Sequence, residues 1–455
     1  MSDFRAVTAD DVIRAVDDAG LRLVRFLWSG NDGTVRAKAS GRHGLESRLT
    51  TGIGVTVAMQ AMNSLDRLQA VEGMGPVGEY RLVPELDTFV VLPYAPSTGA
   101  VLTDHRTLTG EPAEVCQRSF LKRMVERLAE RDTRFEVAFE NEFTLAFEHG
   151  GEYVPVDRSL CFSTVGMTAA QEYVDALVEA LDEQAIPLEQ YYAELGHGQQ
   201  EISTAHAPAL RAADRQVLVR ETIRGVAAVH GLVASLAPKP WPDAAGNGCH
   251  IHFSLWDAGG SRNRFHDPNS PDGLAAEARA FIAGVLDHLP GLCGLTAPSF
   301  NSYRRIVPQS WAGAYLCWGH DNREAPVRVP SPFGGQEEAS TNAELKAADS
   351  TSNPYLAVGG LIAAGLDGLE RGLEPPEPVQ EDPGGFDELE RRRRGIRPLP
   401  ATQAEALDAL EADEVLGTAL GDVLLRSYVA VRRSEGELYA AEDEAFERWG
   451  HFLKY

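Results

Sequence analysis

Alternation of apolar and polar residues predicts a strand in the segment AFENEFTLAF, residues 138–147. Successive side chains of a strand point to opposite faces, so Phe139 and Phe143 share one face while Glu140 and Glu142 share the other. The two carboxylates would lie on the order of 6.5 Å apart along the strand. An edge strand with a solvated face gives the same pattern, so this segment alone does not establish a site.

The rest of the pattern predicts a β-rich beginning followed by alternating helices and strands. The first hundred or so residues are expected to be strands and turns, with a hairpin over 21–40 that turns at Asn31-Asp32-Gly33. The Pro- and charge-rich stretch 374–400 predicts a mobile excursion, followed by about fifty helical residues. The other predicted elements are a strand at 249–256 and helices at about 113–131, 169–184, 209–236, 273–289 and 353–372.

Composition places the chain among ordinary globular proteins and excludes several classes of partner. The 455 residues exceed one average core, which predicts two domains. A net charge of −25 argues against nucleic acid and anionic membranes as partners. The five cysteines are scattered and form no C-x-x-C pair. No apolar run is long enough to span a bilayer, and the sequence starts with acidic residues. These features predict a cytoplasmic location.

A second segment, GNGCHIHFSLWD (residues 246–257), also divides into an apolar face and a polar face. His250, His252 and Ser254 share the polar face of the predicted strand. Imidazole nitrogens bind divalent metals or donate to phosphates, and Gly246 and Gly248 permit close approach of a ligand to the backbone. Paired surface histidines on a strand give the same pattern, so this motif alone is weak.

A third segment, AELGHGQQEI (residues 193–202), contains two more carboxylates on either side of a glycine-rich turn. The turn can bring Glu194 and Glu201 together. Alone these are solvated acids, but with Glu140 and Glu142 they form an oxygen-rich set suited to Mg²⁺ or Mn²⁺. Two such ions close together would clamp a transferring phosphoryl group.

A series of cationic residues follows in the motifs NSYRR, DNREAPVRVP and AELKAADS. Guanidinium groups bind phosphates and carboxylates bidentately, although pairing with surface acids explains any single arginine equally well. Carboxylates that bind metals and arginines that bind anions are together the side chains that phosphoryl transfer requires. The chain has no P-loop motif and no dinucleotide-binding motif.

In this order the motifs resemble the glutamine synthetase superfamily of bacterial type along essentially the whole chain. The matching segments include VRFLWSGNDGTVRAKAS, ENEF, ELGHGQQEI, GNGCHIHFSLWD, NSYRRIVP, NREAPVRVP and AELKAADSTSNPYLA. The resemblance implies an α+β fold, with an N-terminal β-grasp domain at 1–110 and a catalytic domain at 111–455 built on a curved antiparallel sheet flanked by helices. It also implies a homo-oligomer, a dodecamer of two stacked hexameric rings with active sites shared between neighbouring subunits.

The resemblance assigns the carboxylates and one histidine to metal positions, with Mg²⁺ or Mn²⁺ as the ions, two or three in each active site. The metal nearer to glutamate would be held by Glu142, Glu194 and Glu201. The metal on the ATP phosphates would be held by Glu140, His250 and Glu344.

The resemblance also assigns substrate contacts. Gly246 and Arg305 would bind the glutamate substrate, next to Glu142, Glu194 and Lys346. Contacts to ATP and to the transferred phosphoryl group would come from Arg323, Arg328, His252 and Ser254. ATP is therefore expected as the co-substrate, and Arg305, Arg323 and Trp311 as catalytic residues.

The departures from the family pattern concern the third substrate. Trp311 stands where glutamine synthetases have a glutamate in the flap, and the stretch LTTGIGVTVAMQAMNSLD has no acid before Asp66 where they have an aspartate. Each lost contact to ammonium would cost roughly 1–3 kcal/mol. An aromatic side chain at position 311 suits an alkyl amine, unless Trp311 merely packs and another acid binds ammonium. Lys346 and Asn342 also replace arginines of the family.

The sequence therefore predicts an ATP-dependent, ADP-forming ligase that joins the γ-carboxylate of glutamate to a primary amine through γ-glutamyl phosphate. Ethanolamine is the first choice, followed by an alkylamine or a polyamine, which would need a second acidic subsite. The alternatives are a glutamine synthetase that uses ammonium and a catalytically silent paralogue with a regulatory or structural role. No tyrosine precedes LPAT in RRRRGIRP, which argues against control by adenylylation there.

Overall fold

The computed structural model describes residues 6–455, so the first five residues of the predicted N-terminal domain lie outside the described part. Its first portion is a six-stranded sheet in the order β2-β1-β6-β4-β3, with β5 paired to β6. The strands β1 and β2 form the predicted antiparallel hairpin, and β1 runs parallel to β6. The strands are β1 Leu23–Ser29, β2 Val35–Gly41, β3 Ile53–Thr56, β4 Glu79–Pro84, β5 Val90–Val91 and β6 Thr98–Arg106.

Two helices in this first portion were not predicted, because the sequence analysis expected only strands and turns there. They are α1 (Ala9–Asp18) and α2 (Arg42–Thr51). The Thr8 side chain accepts from the Asp11 backbone while the Asp11 side chain accepts from the Thr8 backbone, a capping box that begins α1. The buried residues of α1, Val12 and Val16, lie one turn apart. The sequence TADD contains the threonine and the aspartate of this capping box.

The second portion is built on a ten-stranded sheet in the order β15-β16-β17-β13-β7-β10-β9, with β8, β11 and β12 also paired to β7. The long strand β7 (Thr133–His149) lies in the middle, between β13 (Cys249–Asp257) and β10 (Gln199–Thr204). All pairings are antiparallel except that of β15 with β16. The remaining strands are β8 Glu152–Pro155, β9 Leu188–Ala193, β11 Ala207–Pro208, β12 Val233–Ser235, β14 Tyr315–Leu316, β15 Trp318–His320, β16 Val327–Val329 and β17 Ala343–Leu345.

Helices cover the apolar side of this sheet, and the predicted helices are present, except that the one predicted at 209–236 ends at Val229 and is followed by strand β12. Helix α10 is buried on nearly all sides, as its apolar composition predicts. It packs so closely on α7 that a Cβ at Gly284 would lie 2.3 Å from the Ala364 carbonyl oxygen. The helices are α3 Gln117–Ala129, α4 Thr164–Ala169, α5 Gln171–Glu183, α6 Ala209–Val229, α7 Ala276–Thr296, α8 Ser302–Arg305, α9 Glu337–Ser340 and α10 Pro354–Arg371.

The Pro-rich stretch 374–400 is packed against the sheet, whereas the sequence predicted a mobile excursion. It contains a 3-10 turn (Pro383–Gly385), helix α11 (Glu388–Arg393) and strand β18 (Arg397–Pro398), which pairs with β14. Its Val379 and Ile396 are buried in one apolar cluster with Cys317 and Ala325. Burial of these apolar side chains was not visible from the surrounding prolines and charges.

The final helical segment confirms the prediction for the end of the chain, with α12 Gln403–Ala412, α13 Glu414–Leu420, α14 Asp422–Ala441 and α15 Glu444–Phe452. The hairpin turn of the first portion is inserted into the second. Arg220 donates to the Gly33 carbonyl, and a Cβ at Gly33 (φ +75°) would lie 2.0 Å from the Thr351 carbonyl oxygen. Only glycine fits here. No helix within residues 6–455 combines the length and apolar character that a membrane span requires.

Candidate active site

The polar face of β7 is not a solvated edge, because β7 has a neighbour on each side. Glu140 lies opposite His250 of β13, and Glu142 lies opposite Glu201 of β10. The apolar face of β7 is buried in the main core through Phe139 and its neighbours. Register therefore fixes the carboxylates and imidazoles of three strands on one side of the sheet.

The first cluster on this face joins Glu140, Glu344 and both histidines. His250 Nδ1 lies 3.2 Å from Glu140 Oε2 and 3.1 Å from Glu344 Oε1. His252 Nε2 lies 3.1 Å from Glu140 Oε1. Candidate ligand atoms of Glu140, His252 and Glu344 all lie within 4.8 Å of one another. The sequence analysis placed His252 with ATP, whereas the structure brings it as close to these carboxylates as His250.

In this first cluster the charge of each side chain depends strongly on the charges of its neighbours. Burial disfavours the ionised carboxylate of Glu140, but the imidazoles of His252 and His250 outweigh it and hold the pKa well below its usual range. Burial also opposes the charge on His252, but Glu140 and Glu344 raise its pKa to about 9. The pKa of Glu344 is likewise lowered, against burial, by Lys346 and the two histidines.

The donor set of this cluster fits a divalent cation. The buried atoms His252 Nε2 and Glu344 Oε2 make no hydrogen bond within the described chain, although each lies near a charged neighbour. Buried polar atoms are normally hydrogen-bonded, so unsatisfied atoms on residues whose ligand atoms lie this close together are suited to a shared metal ion. Carboxylate and imidazole ligands match Mg²⁺ or Mn²⁺ better than a thiolate-bound metal.

The second cluster contains the carboxylates of Glu142, Glu194 and Glu201. Glu142 Oε2 accepts hydrogen bonds from the Gly248 backbone at 2.8 Å and from Gln199 Nε2 at 3.0 Å. Burial, then the charges of Glu142 and neighbouring acids, raises the pKa of Glu201 to about 10, and burial also raises the pKa of Glu194. This crowding of negative charge is what a bound cation would relieve.

Arg305 lies across the two glycines of GNGCHIH. Its Nη2 lies 3.1 Å from His250 Nε2, and its Nη1 donates to the Ala348 carbonyl at 3.2 Å. A Cβ at Gly246 would lie 3.0 Å from Arg305 Cγ, and a Cβ at Gly248 only 2.4 Å from Arg305 Nη2. The glycines therefore make room for a buried guanidinium at the edge of the first cluster.

The other predicted cationic residues lie at different distances from the clusters. Lys346 is buried, with Nζ 3.4 Å from Glu344 Oε1, and Arg328 Nη1 lies 3.0 Å from Glu344 Oε2. Arg323 is exposed in the turn between β15 and β16. Ser254, two residues beyond His252, is buried and accepts a hydrogen bond from Trp256 Nε1 at 2.9 Å. Arg328 and Lys346 thus join the first cluster, while Arg323 does not contact it.

The loop 306–314, which we call the flap, follows Arg305 directly. Its Trp311 is 61% exposed and has a left-handed backbone with φ +58°. The Trp311 N–H donates to Glu324 Oε1 at 2.8 Å. The indole is therefore available to contact a substrate, and the loop that carries it is held by an acid.

Sequence reasoning missed three residues of this region. Gln199 Nε2 donates to Glu142, to the Gly246 carbonyl at 2.9 Å and to Asn247, so it links two motifs. The Tyr192 hydroxyl donates to Glu201 Oε1 at 2.5 Å. Gln199 lies in the quoted motif GHGQQEI, where a buried amide beside glycines was a usable signal. Glu324, discussed below, carried no such signal.

Comparison with known proteins shows similarity along the whole chain. The family described as the glutamine synthetase N-terminal domain matches residues 9–113, and the glutamine synthetase catalytic domain matches residues 114–449. The chain is 36% identical over 438 residues to a gamma-glutamylpolyamine synthetase, GlnA3, of Streptomyces coelicolor, which covers 94% of each chain.

Two further comparisons, one with a related sequence and one with a solved structure, show the same relationship. A glutamine synthetase of Methanocaldococcus jannaschii is 36% identical over 382 residues, covering 82% of this chain and 83% of that one. The solved structure of a GmaS/ADP complex superposes with a TM-score of 0.84 at 27% identity, covering 96% of this chain and 98% of that one.

The fold and the clustered carboxylates, imidazoles and arginines define an ATP-dependent ligase. The chain belongs to the glutamine synthetase family, as its motifs indicated. Enzymes of this family use ATP and divalent metal ions, with glutamate and an amine or ammonia as the other substrates. The predicted α+β class, with an N-terminal β-grasp domain and a glutamine synthetase catalytic domain, is confirmed.

Proposed function

We propose that the protein is an ADP-forming ligase that joins the γ-carboxylate of glutamate to a small organic amine. ATP transfers its γ-phosphoryl group to the carboxylate, which gives γ-glutamyl phosphate and ADP. The amine nitrogen then attacks the carbonyl carbon, inorganic phosphate leaves, and the nitrogen loses a proton to give the amide. The observation that carries this proposal is Trp311, an exposed indole in the flap where the family pattern has a glutamate.

We assign the roles of the site residues as the family pattern suggests. Bound Mg²⁺ or Mn²⁺ would neutralise the phosphates and the developing charge. Glu142, Glu194 and Glu201 would hold the ion nearer to glutamate. Glu140 and Glu344, with the neighbouring imidazoles, would hold the ion on ATP, and their fit to a cation supports this.

The remaining assignments concern the anionic substrates. Arg305 lies beside the glycines where the glutamate carboxylate is expected, which supports a positioning role for its guanidinium. Lys346 and Arg328 pair with Glu344, and we propose that they also contact anionic oxygens of ATP and glutamate. We keep the exposed Arg323 as the proposed catalytic contact to the transferred phosphoryl group.

The identity of the amine is the finer part of the proposal. The relative from Streptomyces is a gamma-glutamylpolyamine synthetase, which supports a polyamine beside ethanolamine and short alkylamines. The equally identical relative from Methanocaldococcus is a glutamine synthetase, which keeps ammonium as the second candidate. Trp311 favours the organic amine, because an aromatic wall gains by contact with alkyl carbon and does not bind a bare ammonium as a carboxylate does.

We further propose the setting in which the enzyme works. The boundary between the two domains would lie near residue 110. Twelve chains would assemble as two stacked rings of six subunits, with each site shared between neighbours. All five cysteines are free thiols, which supports a reducing, cytoplasmic compartment.

The test is ADP release by the purified protein with ATP, Mg²⁺ and glutamate. Ammonium, ethanolamine, methylamine, putrescine and spermidine are compared at equal concentration. We expect at least one organic amine to give about tenfold or more turnover above ammonium. A preference for ammonium would make the protein a glutamine synthetase, and no turnover with any amine would favour the catalytically silent paralogue.

A further inference from the structure

The flap has a backbone that its own sequence does not favour. Gln309 (φ +61°) and Trp311 (φ +58°) are both left-handed, and Gly313 (φ +76°) follows. Residues with a Cβ rarely adopt this conformation, and here two of them stand one residue apart. Such a conformation persists only when contacts from outside the loop determine it. The question is which residue supplies them.

Glu324 supplies one such contact from the turn between β15 and β16. Its Oε1 accepts the Trp311 N–H at 2.8 Å. One half-buried side chain therefore holds the backbone of the left-handed residue that carries the indole. The Glu324 backbone is itself fixed, since its N–H donates to Asn322 Oδ1 at 3.0 Å.

The turn that carries Glu324 is tied to the first cluster. The Pro326 carbonyl accepts the Lys346 N–H at 2.8 Å, and Lys346 lies beside Glu344. The end of the flap packs on the same turn, because a Cβ at Gly313 would lie 2.5 Å from Pro326 Cα. Glu324 therefore links the position of Trp311 to the end of β17, the strand that carries the candidate metal ligand Glu344.

A second contact binds the flap to the Pro-rich stretch. Gln309 Nε2 donates to Asp382 Oδ2 at 3.1 Å, and Asn322 Nδ2 donates to the Val379 carbonyl at 2.7 Å. Both Glu324 and the flap therefore rest on residues 379–382. This arrangement gives the packed stretch 374–400 a role in shaping the flap.

We propose that Glu324 is a positioning residue that fixes Trp311 and thereby sets the choice of amine. The inference rests on the proposed function, since it names the residue that orients the aromatic wall. Glu324 acts through its hydrogen bond to the Trp311 backbone, and its charge is not required for that. Loss of this bond would release the left-handed Trp311 and let the indole leave its place, so that organic amines lose their advantage over ammonium.

The test compares Glu324→Ala with Glu324→Gln. The glutamine keeps a carbonyl oxygen that can accept the Trp311 N–H but removes the charge, whereas alanine removes both. Glu381→Ala is the matched control, because Glu381 is an exposed acid of the Pro-rich stretch beside the flap, and its ion pair is with Arg394. The readouts are amide hydrogen exchange of residues 309–313 and the ratio of kcat/KM for the best organic amine to that for ammonium.

We expect Glu324→Ala to speed exchange at the flap and to lower the ratio about tenfold, chiefly through the KM for the organic amine. Glu324→Gln and Glu381→Ala should behave like wild type, and all three variants should keep their KM for ATP. Equal losses in Glu324→Gln and Glu324→Ala would overturn the inference in favour of a charge role. An unchanged ratio in Glu324→Ala would overturn it as well. If the wild type itself prefers ammonium, the proposed function fails, and amide exchange alone decides whether Glu324 holds the flap.

Discussion

Under the proposed function, residue 311 would decide between two chemistries of the third substrate. A carboxylate there attracts ammonium and can take its proton, whereas the exposed indole offers an apolar, cation-tolerant wall. We therefore expect Trp311→Glu to shift the kcat/KM ratio toward ammonium by roughly one to two decades. Trp311→Phe is the control, since it keeps an aromatic wall and should keep the preference for an organic amine. An unchanged ratio in Trp311→Glu would mean that the flap does not contact the amine.

Glu140 is the residue whose loss should most clearly separate metal binding from folding. A ligand that binds only the folded state raises its stability, so Mn²⁺ should raise the unfolding temperature of the wild type. We expect this Mn²⁺-dependent rise to be lost or strongly reduced in Glu140→Gln, together with ADP release. Calorimetry with and without Mn²⁺ measures the rise.

Glu136→Gln is the matched control for that experiment. Glu136 is buried on the same face of the same strand but pairs with Arg134 and His206, away from the cluster. This variant should have a lower unfolding temperature, because the buried Glu136 loses its ion pairs, yet keep the full rise with Mn²⁺. Loss of the rise in both variants would show that the effect is general and that Glu140 is not a metal ligand.

For single residues, the sequence predicted which side chains share a face of the sheet better than it predicted which side chains they contact. Strand alternation was sufficient to place Glu140 and Glu142 on one face, because the period of a strand is fixed. The approach of His252 to Glu140 and Glu344 depends on the register of β13 with β17, which lie about ninety residues apart in the chain. Neither that register nor the hold of Glu324 on Trp311 leaves a periodic signal in the sequence.

Three helices of the second portion meet at His288, which links them by charge. The imidazole of His288 on α7 lies 2.7 Å from Asp413, which caps α13, and 3.0 Å from Asp367 on α10. Burial opposes its charge, but the hydrogen bonds to both carboxylates outweigh this and raise the pKa of His288. Since both ring nitrogens face carboxylates, only the imidazolium can donate to both.

This arrangement predicts a pH-dependent contribution to stability. A pKa raised in the folded state stabilises fully below the unfolded pKa of about 6.5, and the contribution is lost as the pH rises through the folded pKa. We expect His288→Gln to lower the free energy of unfolding by about 1–3 kcal/mol near pH 6, and by less as the pH rises through the raised pKa of the folded state. Denaturant unfolding at several pH values measures the difference. The exposed His149→Gln should show no such trend, and a pH-independent deficit in His288→Gln would refute the charge argument.

At the scale of elements, periodicity predicted the long helices and the central strands, and it failed where contacts between distant segments decide. Helix α10 was evident because nearly every residue is apolar. The stretch 374–400 was not, because its order comes from pairing of β18 with β14 and from burial of Val379 and Ile396. Short elements of this kind depend on partners that local sequence does not reveal.

On the scale of the whole molecule, the segment that lacks the family's aspartate lies on α14 of its own chain. Asn63 donates to Ser434 at 3.1 Å, and the Ser64 N–H donates to Glu435 at 2.8 Å. In the family pattern this segment contributes to a neighbour's active site. In the proposed ring this segment would face the site of the adjacent subunit.

The proposed assembly therefore couples activity to oligomeric state. Twelve chains of 49.3 kDa would give a particle of about 590 kDa, and each site would need its neighbour to be complete. We expect light scattering at working concentration to show this mass, and ADP release per chain to fall in parallel with it as the protein is diluted or treated with mild denaturant. Circular dichroism provides the control, because it should show that the dissociated chain is still folded. A folded monomer with full activity per chain would show that one chain contains the whole site, and the shared-site proposal would then be wrong.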